Sequence, residues 1–122
     1  MNSSHELVRR LYACFNSRDV DSVLAMLTPD IAWANGMDGG HVEGYDGIRD
    51  YWRRQWSVVD PHVEPMRIED FGADAVLVEV RQTIRDLDGR PVVASGLKDK
   101  TVGHVFRFRD GKICRFEIRE TP

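Results

Sequence analysis

The apolar residues of this chain change period once, near residue 60, and that change restricts the fold more than any other feature of the sequence. Ahead of it the spacing is helical. Leu7, Val8, Leu11, Cys14 and Phe15, with Tyr12 beside them, recur every three to four residues. Ser3 and Glu6 precede them in the pattern of a capping box. Asn16-Ser17-Arg18-Asp19 interrupts the run, and Asp19 is placed to cap a short second helix carrying Val20, Val23, Leu24 and Leu27. Thr28-Pro29-Asp30 ends that helix, residues 31–35 read as a short strand, and 36–44 as a glycine-rich loop. A third helix is expected over 45–59, with Ile48, Trp52, Gln55, Trp56 and Val59 in one stripe. Asp60-Pro61 stops it.

From His62 onward the period is two. Val63, Met66, Ile68 and Phe71 lead to a turn at Gly72-Ala73-Asp74. Val76, Val78, Val80, Gln82 and Ile84 then alternate with Leu77, Glu79, Arg81 and Thr83. Asp88-Gly89 and Asp110-Gly111 are hairpin-turn pairs that bracket a strand ending in Val102, His104, Phe106 and Phe108. Cys114, Phe116 and Ile118 alternate along the last strand. The order predicts one α+β domain over 1–122. Three N-terminal helices pack on a curved antiparallel sheet of about five strands, a cone around a central pocket.

Composition narrows the function classes. Lys and Arg total 17 against 20 Asp and Glu, with no basic cluster, so a nucleic-acid partner is not expected. No apolar run approaches the ~18 residues that a membrane span needs. The first residues carry His5, Glu6, Arg9 and Arg10 where a signal peptide would be apolar. Cys14 and Cys114 read as inert thiols in apolar stretches, which fits a cytoplasmic protein. His5, His41, His62 and His104 lack metal-ligand spacing, although His41, Asp38 and His104 could meet if the loop folded inward. The glycines of Asn35-Gly36-Met37-Asp38-Gly39-Gly40 lack the context of a dinucleotide site. Neither a metal nor an organic cofactor is expected.

Three stretches carry a family resemblance: Leu7 to Tyr12 with Asp19-Val20-Asp21 and Leu27-Thr28-Pro29-Asp30; Gly44-Tyr45-Asp46-Gly47-Ile48-Arg49-Asp50-Tyr51-Trp52; and His104-Val105-Phe106-Arg107-Phe108-Arg109-Asp110-Gly111-Lys112-Ile113. In order and spacing the chain resembles the nuclear transport factor 2-like superfamily, in its SnoaL-like and ketosteroid-isomerase-like branch. The resemblance implies a tyrosine, an aspartate base and a protonated aspartate around a carbonyl, as in ketosteroid isomerase. Their positions fall on Leu11, Asn35 and His104. Leu11 donates no hydrogen bond and Asn35 accepts no proton at neutral pH. Tyr12 neighbours the Leu11 position but points about 100° around the helix. True steroid isomerisation is therefore not expected. The resemblance also implies a homodimer through the convex sheet face, where Glu79, Arg81, Thr83, Arg115, Glu117 and Arg119 alternate outward.

By the period-two pattern, the concave face gathers Trp33, Asn35, Val78, Val80, Gln82, His104, Phe106, Phe116 and Ile118, joined by Phe15 from the first helix and Trp52, Gln55 and Trp56 from the third. His41 could close the mouth from its loop, or lie exposed. His104 is the leading candidate for acid–base work near neutral pH, or else a core histidine bonded to Asn35, Gln82 or a backbone carbonyl. Asn35 and Gln82 could polarise a ligand carbonyl or satisfy each other, and Asp38 is a weaker candidate for the missing base. The tryptophans could stack on a flat ligand or fill the core. The expected function is binding of a small, flat, largely apolar molecule, with cofactor-independent isomerase, cyclase or dehydratase chemistry as one reading. A non-catalytic ligand binder or dimeric scaffold is the other.

Overall fold

The computed structural model describes residues 2–35, 39–90, 92 and 100–120. Helix α1 (Asn2–Asn16) already includes Ser3, so the anticipated cap falls inside the helix. Leu11, Tyr12 and Phe15 of α1 are buried in one apolar arc. Helix α2 (Val20–Leu24) opens on Asp19, whose carboxylate accepts from the Ser22 backbone N–H, as the sequence suggests. Strand β1 (Leu27–Ala34) is longer than expected at its start, and β2 (His41–Glu43) pairs with it inside the segment read as loop. Helix α3 (Gly44–Trp56) buries Ile48, Tyr51 and Trp52. Strands β3 (Asp60–Asp70), β4 (Ala75–Arg85), β5 (Lys100–Arg109) and β6 (Lys112–Glu120) complete the sheet.

Six strands lie in the order β2-β1-β6-β5-β4-β3, one more than the sequence indicated. The sheet is mixed: β1 runs parallel to β6, and the other neighbouring pairs are antiparallel. The turn at Asp110-Gly111 has positive φ at both residues, +54° and +82°, which suits the right-handed twist of a tight hairpin. Beyond it the register shifts by a bulge, and this brings Ile113 inward beside Phe116. Among the described residues the β4–β5 register runs to Gln82 and Lys100, and the Asp88-Gly89 turn is closed by the Asp86 N–H donating to the Arg90 carbonyl, around three residues rather than two.

The helices cover the concave face. Asn16, the last residue of α1, fixes it to β3: its amide donates to the Val63 carbonyl at 2.8 Å and accepts from the Val63 N–H at 3.0 Å. Arg18 follows with φ of +65° and turns its guanidinium back over the Trp56 ring at 4.7 Å. The same group donates to the carbonyls of Phe15 and Pro61 and pairs with Asp60. These contacts tie the end of α1 to the start of β3.

On the convex face the register sets Leu77, Val105 and Glu117 side by side, and Glu79, Gly103 and Arg119 in the next row. A Cβ at Gly103 would meet Leu77 Cδ1 at 3.4 Å and Arg119 Cβ at 3.5 Å, so this row is closely packed. No described helix is long and apolar enough to cross a membrane.

Candidate functional site

A cavity of about 370 Å³ lies between α1, α3 and the concave sheet. Alternation on the strands delivers its walls: Trp33 of β1 is level with Phe116 of β6, which is level with Phe106 of β5. The Trp33 and Phe116 rings stack at 4.1 Å and 22°. Trp52 meets Trp33 edge-on at 5.3 Å, and Phe15 meets Trp52 at 5.4 Å. The result is an aromatic wall drawn from two helices and three strands.

His104 forms part of the cavity lining from β5. Its register partners are Val78 on β4 and Ile118 on β6, and Phe116 meets its ring edge-on at 4.7 Å. From α1, Tyr12 brings its hydroxyl to 2.7 Å from His104 Nδ1 with the two rings nearly parallel, 12° apart. No charged residue occupies those positions. Burial alone lowers the imidazole from 6.5 to about 3 and raises the Tyr12 phenol well above its ordinary value. Both groups are neutral across the physiological range.

Neutrality decides the tautomer. If Nδ1 carried the proton, the Tyr12 hydroxyl hydrogen would need another acceptor, and the described residues supply none. A buried donor left unpaired costs about 1–3 kcal/mol. Tyr12 therefore donates to Nδ1, and the proton sits on Nε2. Among the described residues only Nδ1 of this ring has a hydrogen-bond partner, so Nε2 is the ring nitrogen left to the cavity that His104 lines. The imidazole expected to exchange protons near pH 7 is thus a fixed hydrogen-bond donor.

Asn35 and Gln82 both border the cavity, half-buried, along with Leu11, Trp33, Trp52, Phe106 and Phe15. Trp56 does not. It stacks behind Trp52 at 5.6 Å, capped by Arg18, because α3 turns that side chain toward the end of α1. His41 borders the cavity from β2, yet its imidazole is committed to the outer rim: Nε2 lies 3.1 Å from Glu117 Oε1, with Arg115 on the other carboxylate oxygen. Burial works to raise the Glu117 carboxyl, but the hydrogen bonds from Arg115 and His41 outweigh it and hold it below the usual range. Asp38 lies outside the described residues. Among those described, no group of three His, Cys, Asp or Glu side chains could hold a metal ion.

Sequence reasoning missed Tyr12. Leu11 and Tyr12 are adjacent on the helix and 100° apart, yet the arc facing a concave sheet is wide enough to hold both. Tyr51 was missed as well; its hydroxyl accepts from Gln55 Nε2 at 3.2 Å on the cavity side of α3. The i, i+4 spacing of Tyr51 and Gln55 was the available clue.

A family model of the SnoaL-like domain matches residues 8–116. Among solved structures, an NTF2-like protein of unknown function from Burkholderia pseudomallei is 26% identical, with a TM-score of 0.80 over 99% of this chain and 92% of that one. TerC, co-crystallised with polyporic acid, is 26% identical at a TM-score of 0.80, covering 98% and 92%. A Mycobacterium tuberculosis LEH-like epoxide hydrolase shares the fold at 24% identity and a TM-score of 0.76, covering 97% and 82%. No curated protein matches the sequence.

Proposed function

The chain belongs to the family of SnoaL-like domains, and from that premise we propose that its cone binds a small, flat, largely apolar molecule. The observation that carries this reading is the aromatic cavity itself. Trp33, Trp52, Phe106 and Phe116 offer ring faces and edges, and the neutral Tyr12–His104 pair sets one polar point among them. About 370 Å³ is at the small end of ligand pockets, which suits a molecule of a few fused rings. Binding comes first in this reading, because the described residues level with His104 on the neighbouring strands, Val78 and Ile118, are apolar, and the Glu117 carboxylate at the rim is engaged by His41 and Arg115. The likeness to TerC, a protein co-crystallised with polyporic acid, supports it further.

Thermal shift against a library of steroids, polyketides and aromatic lactones is the test. A ligand at a hundred times its Kd stabilises the folded state by about 2.7 kcal/mol. In a domain of this size that raises Tm by on the order of 10 °C. A library that leaves Tm unmoved overturns the proposal.

A second copy of the chain is the proposed partner of the convex face. Leu77 and Val105 lie there between Glu79, Arg81, Arg115, Glu117 and Arg119, and a two-fold axis would set acidic against basic side chains. Light scattering at micromolar concentration is expected to give twice the 14.0 kDa chain mass. A monomer mass would refute it.

A further inference from the structure

We infer that the molecule held in the cone is an amphipathic acid, with its flat apolar body set inward against the aromatic wall and a carboxylate at the mouth against the Lys100 ammonium. This names the class of ligand and rests on the cone being a binding site. The strand register places the charge. Along β5 the cavity is lined by alternate residues of one face, Phe106, His104, Val102 and Lys100. The first three are buried, and Lys100 is half-buried, so the cavity meets solvent at the Lys100 end. Polarity follows the same direction. Val78 and Val80 of β4 stand opposite His104 and Val102, and the half-buried Gln82 stands opposite Lys100. Four residues of strand separate His104 from Lys100, about 13 Å at the usual rise. That distance leaves room for a ring system below the charged layer.

Lys100 is the one lysine or arginine among the described residues that line the cavity. The carboxylates on neighbouring elements are engaged elsewhere: Glu117 of β6 with Arg115 and His41, and Asp60 of β3 with Arg18. An ammonium carries three N–H donors and no acceptor, so the ligand group that meets it must accept. An ionised acceptor makes roughly twice as strong a hydrogen bond there as a neutral one. A carboxylate at this level also keeps water on its outer side. Turned the other way, it would lie among the Trp33, Phe106 and Phe116 rings, where burying an anion is costly. The acid therefore faces out and the rings face in.

The test titrates two probes of matched shape, naphthalene-2-acetate and naphthalene-2-acetamide, into the full chain by calorimetry at low salt. The acid is expected to bind about tenfold more tightly than the amide, the factor that one hydrogen bond between charged groups contributes. Added salt should weaken the acid several fold and leave the amide level. Both comparisons use the unsubstituted protein, so they survive any failure of a variant to fold. Lys100→Gln is expected to bring the acid down to the amide. Lys100→Glu should reverse the preference, so that naphthalene-2-ethylamine binds more tightly than the acid. If acid and amide bind the wild-type protein alike, or the acid keeps its advantage in Lys100→Gln, the inference is overturned and the cone reading stands. If neither probe binds the wild-type protein, the cone reading falls and this inference with it.

Discussion

Trp52→Ala is expected to destabilise the fold by about 3–5 kcal/mol, the usual cost of removing a fully buried large aromatic. Trp52 is 1% exposed and stands at the centre of the aromatic wall, touched by Phe15, Trp33 and Trp56. Its loss would merge the space it fills with the existing cavity, so neighbouring side chains could close it only in part. A domain of ordinary stability holds 5–15 kcal/mol in all. The variant therefore loses a large share of it, and the midpoint of urea unfolding should fall by about 2 M at a typical slope. Trp56→Ala serves as the control. Trp56 is half-buried behind Trp52, and its indole Nε1 has no hydrogen-bond partner among the described residues, so less is lost with it. A Trp52→Ala midpoint within about 0.5 M of wild type, which at that slope is on the order of 1 kcal/mol or less, would show that the wall is not a structural member.

Acidification from pH 6.5 to 4.5 is expected to weaken the fold, and His104 should account for much of the loss. Its pKa is lowered from 6.5 in the unfolded chain to about 3 in the folded one by burial. Below 6.5 the unfolded state takes up a proton that the folded state refuses. Stability is thus fully present above 6.5 and falls, as pH drops toward the folded value, by about 1.4 kcal/mol per pH unit for one such proton. Asp30, Asp70 and Glu117 also stabilise through lowered pKa values, but they lose that contribution only below the ordinary carboxylate range. The window from 6.5 to 4.5 lies above the carboxylate losses, and comparison with a His104 variant separates this imidazole from the other three histidines. Unfolding free energies of wild type and His104→Phe, measured across it, should diverge in slope, with the variant flatter. Parallel slopes would mean that the folded state admits the proton near its ordinary pKa.

Much of the architecture was legible because each element states its period. The alternation of Val76, Val78 and Val80 with Leu77 and Glu79 fixed which face of β4 is covered, and the register agrees. Asp19 and the Asp110-Gly111 pair likewise marked a helix start and a turn by local chemistry alone. The two short segments around the glycine-rich stretch were not legible. β2 is three residues long, too short to show a period, and exists because it pairs with Trp33 and its neighbours. The parallel pairing of β1 with β6 is a contact between distant parts of the chain, on which local pattern is silent.

The site divided in the same way. Trp33, Trp52, Phe106 and His104 follow from strand and helix periodicity, and all four reach the cavity. The partner of His104 did not follow. Tyr12 sits one residue from the position matched by resemblance, and adjacency along a helix was read as divergence in space. Which nitrogen of an imidazole is free depends on a contact made across the fold, and no spacing rule reports it. The chemistry of His104 changed on that one contact, from an exchanger of protons to a fixed donor.

The place of β6 in the sheet bears on how the molecule assembles. Residues 112–120 form the last of the described strands, yet they lie in the interior of the sheet, between β1 and β5. Until they emerge from the ribosome, β1 with β2 and the β3–β4–β5 meander are two separate pieces with open edges. The wall that joins Trp33 to Phe116 cannot form before then. Contacts of such long sequence separation slow folding, because the loop entropy is lost before they are gained. The cone is therefore completed after synthesis of its final strand, and a nascent chain stopped short of residue 112 exposes the strand edges that β6 would have covered.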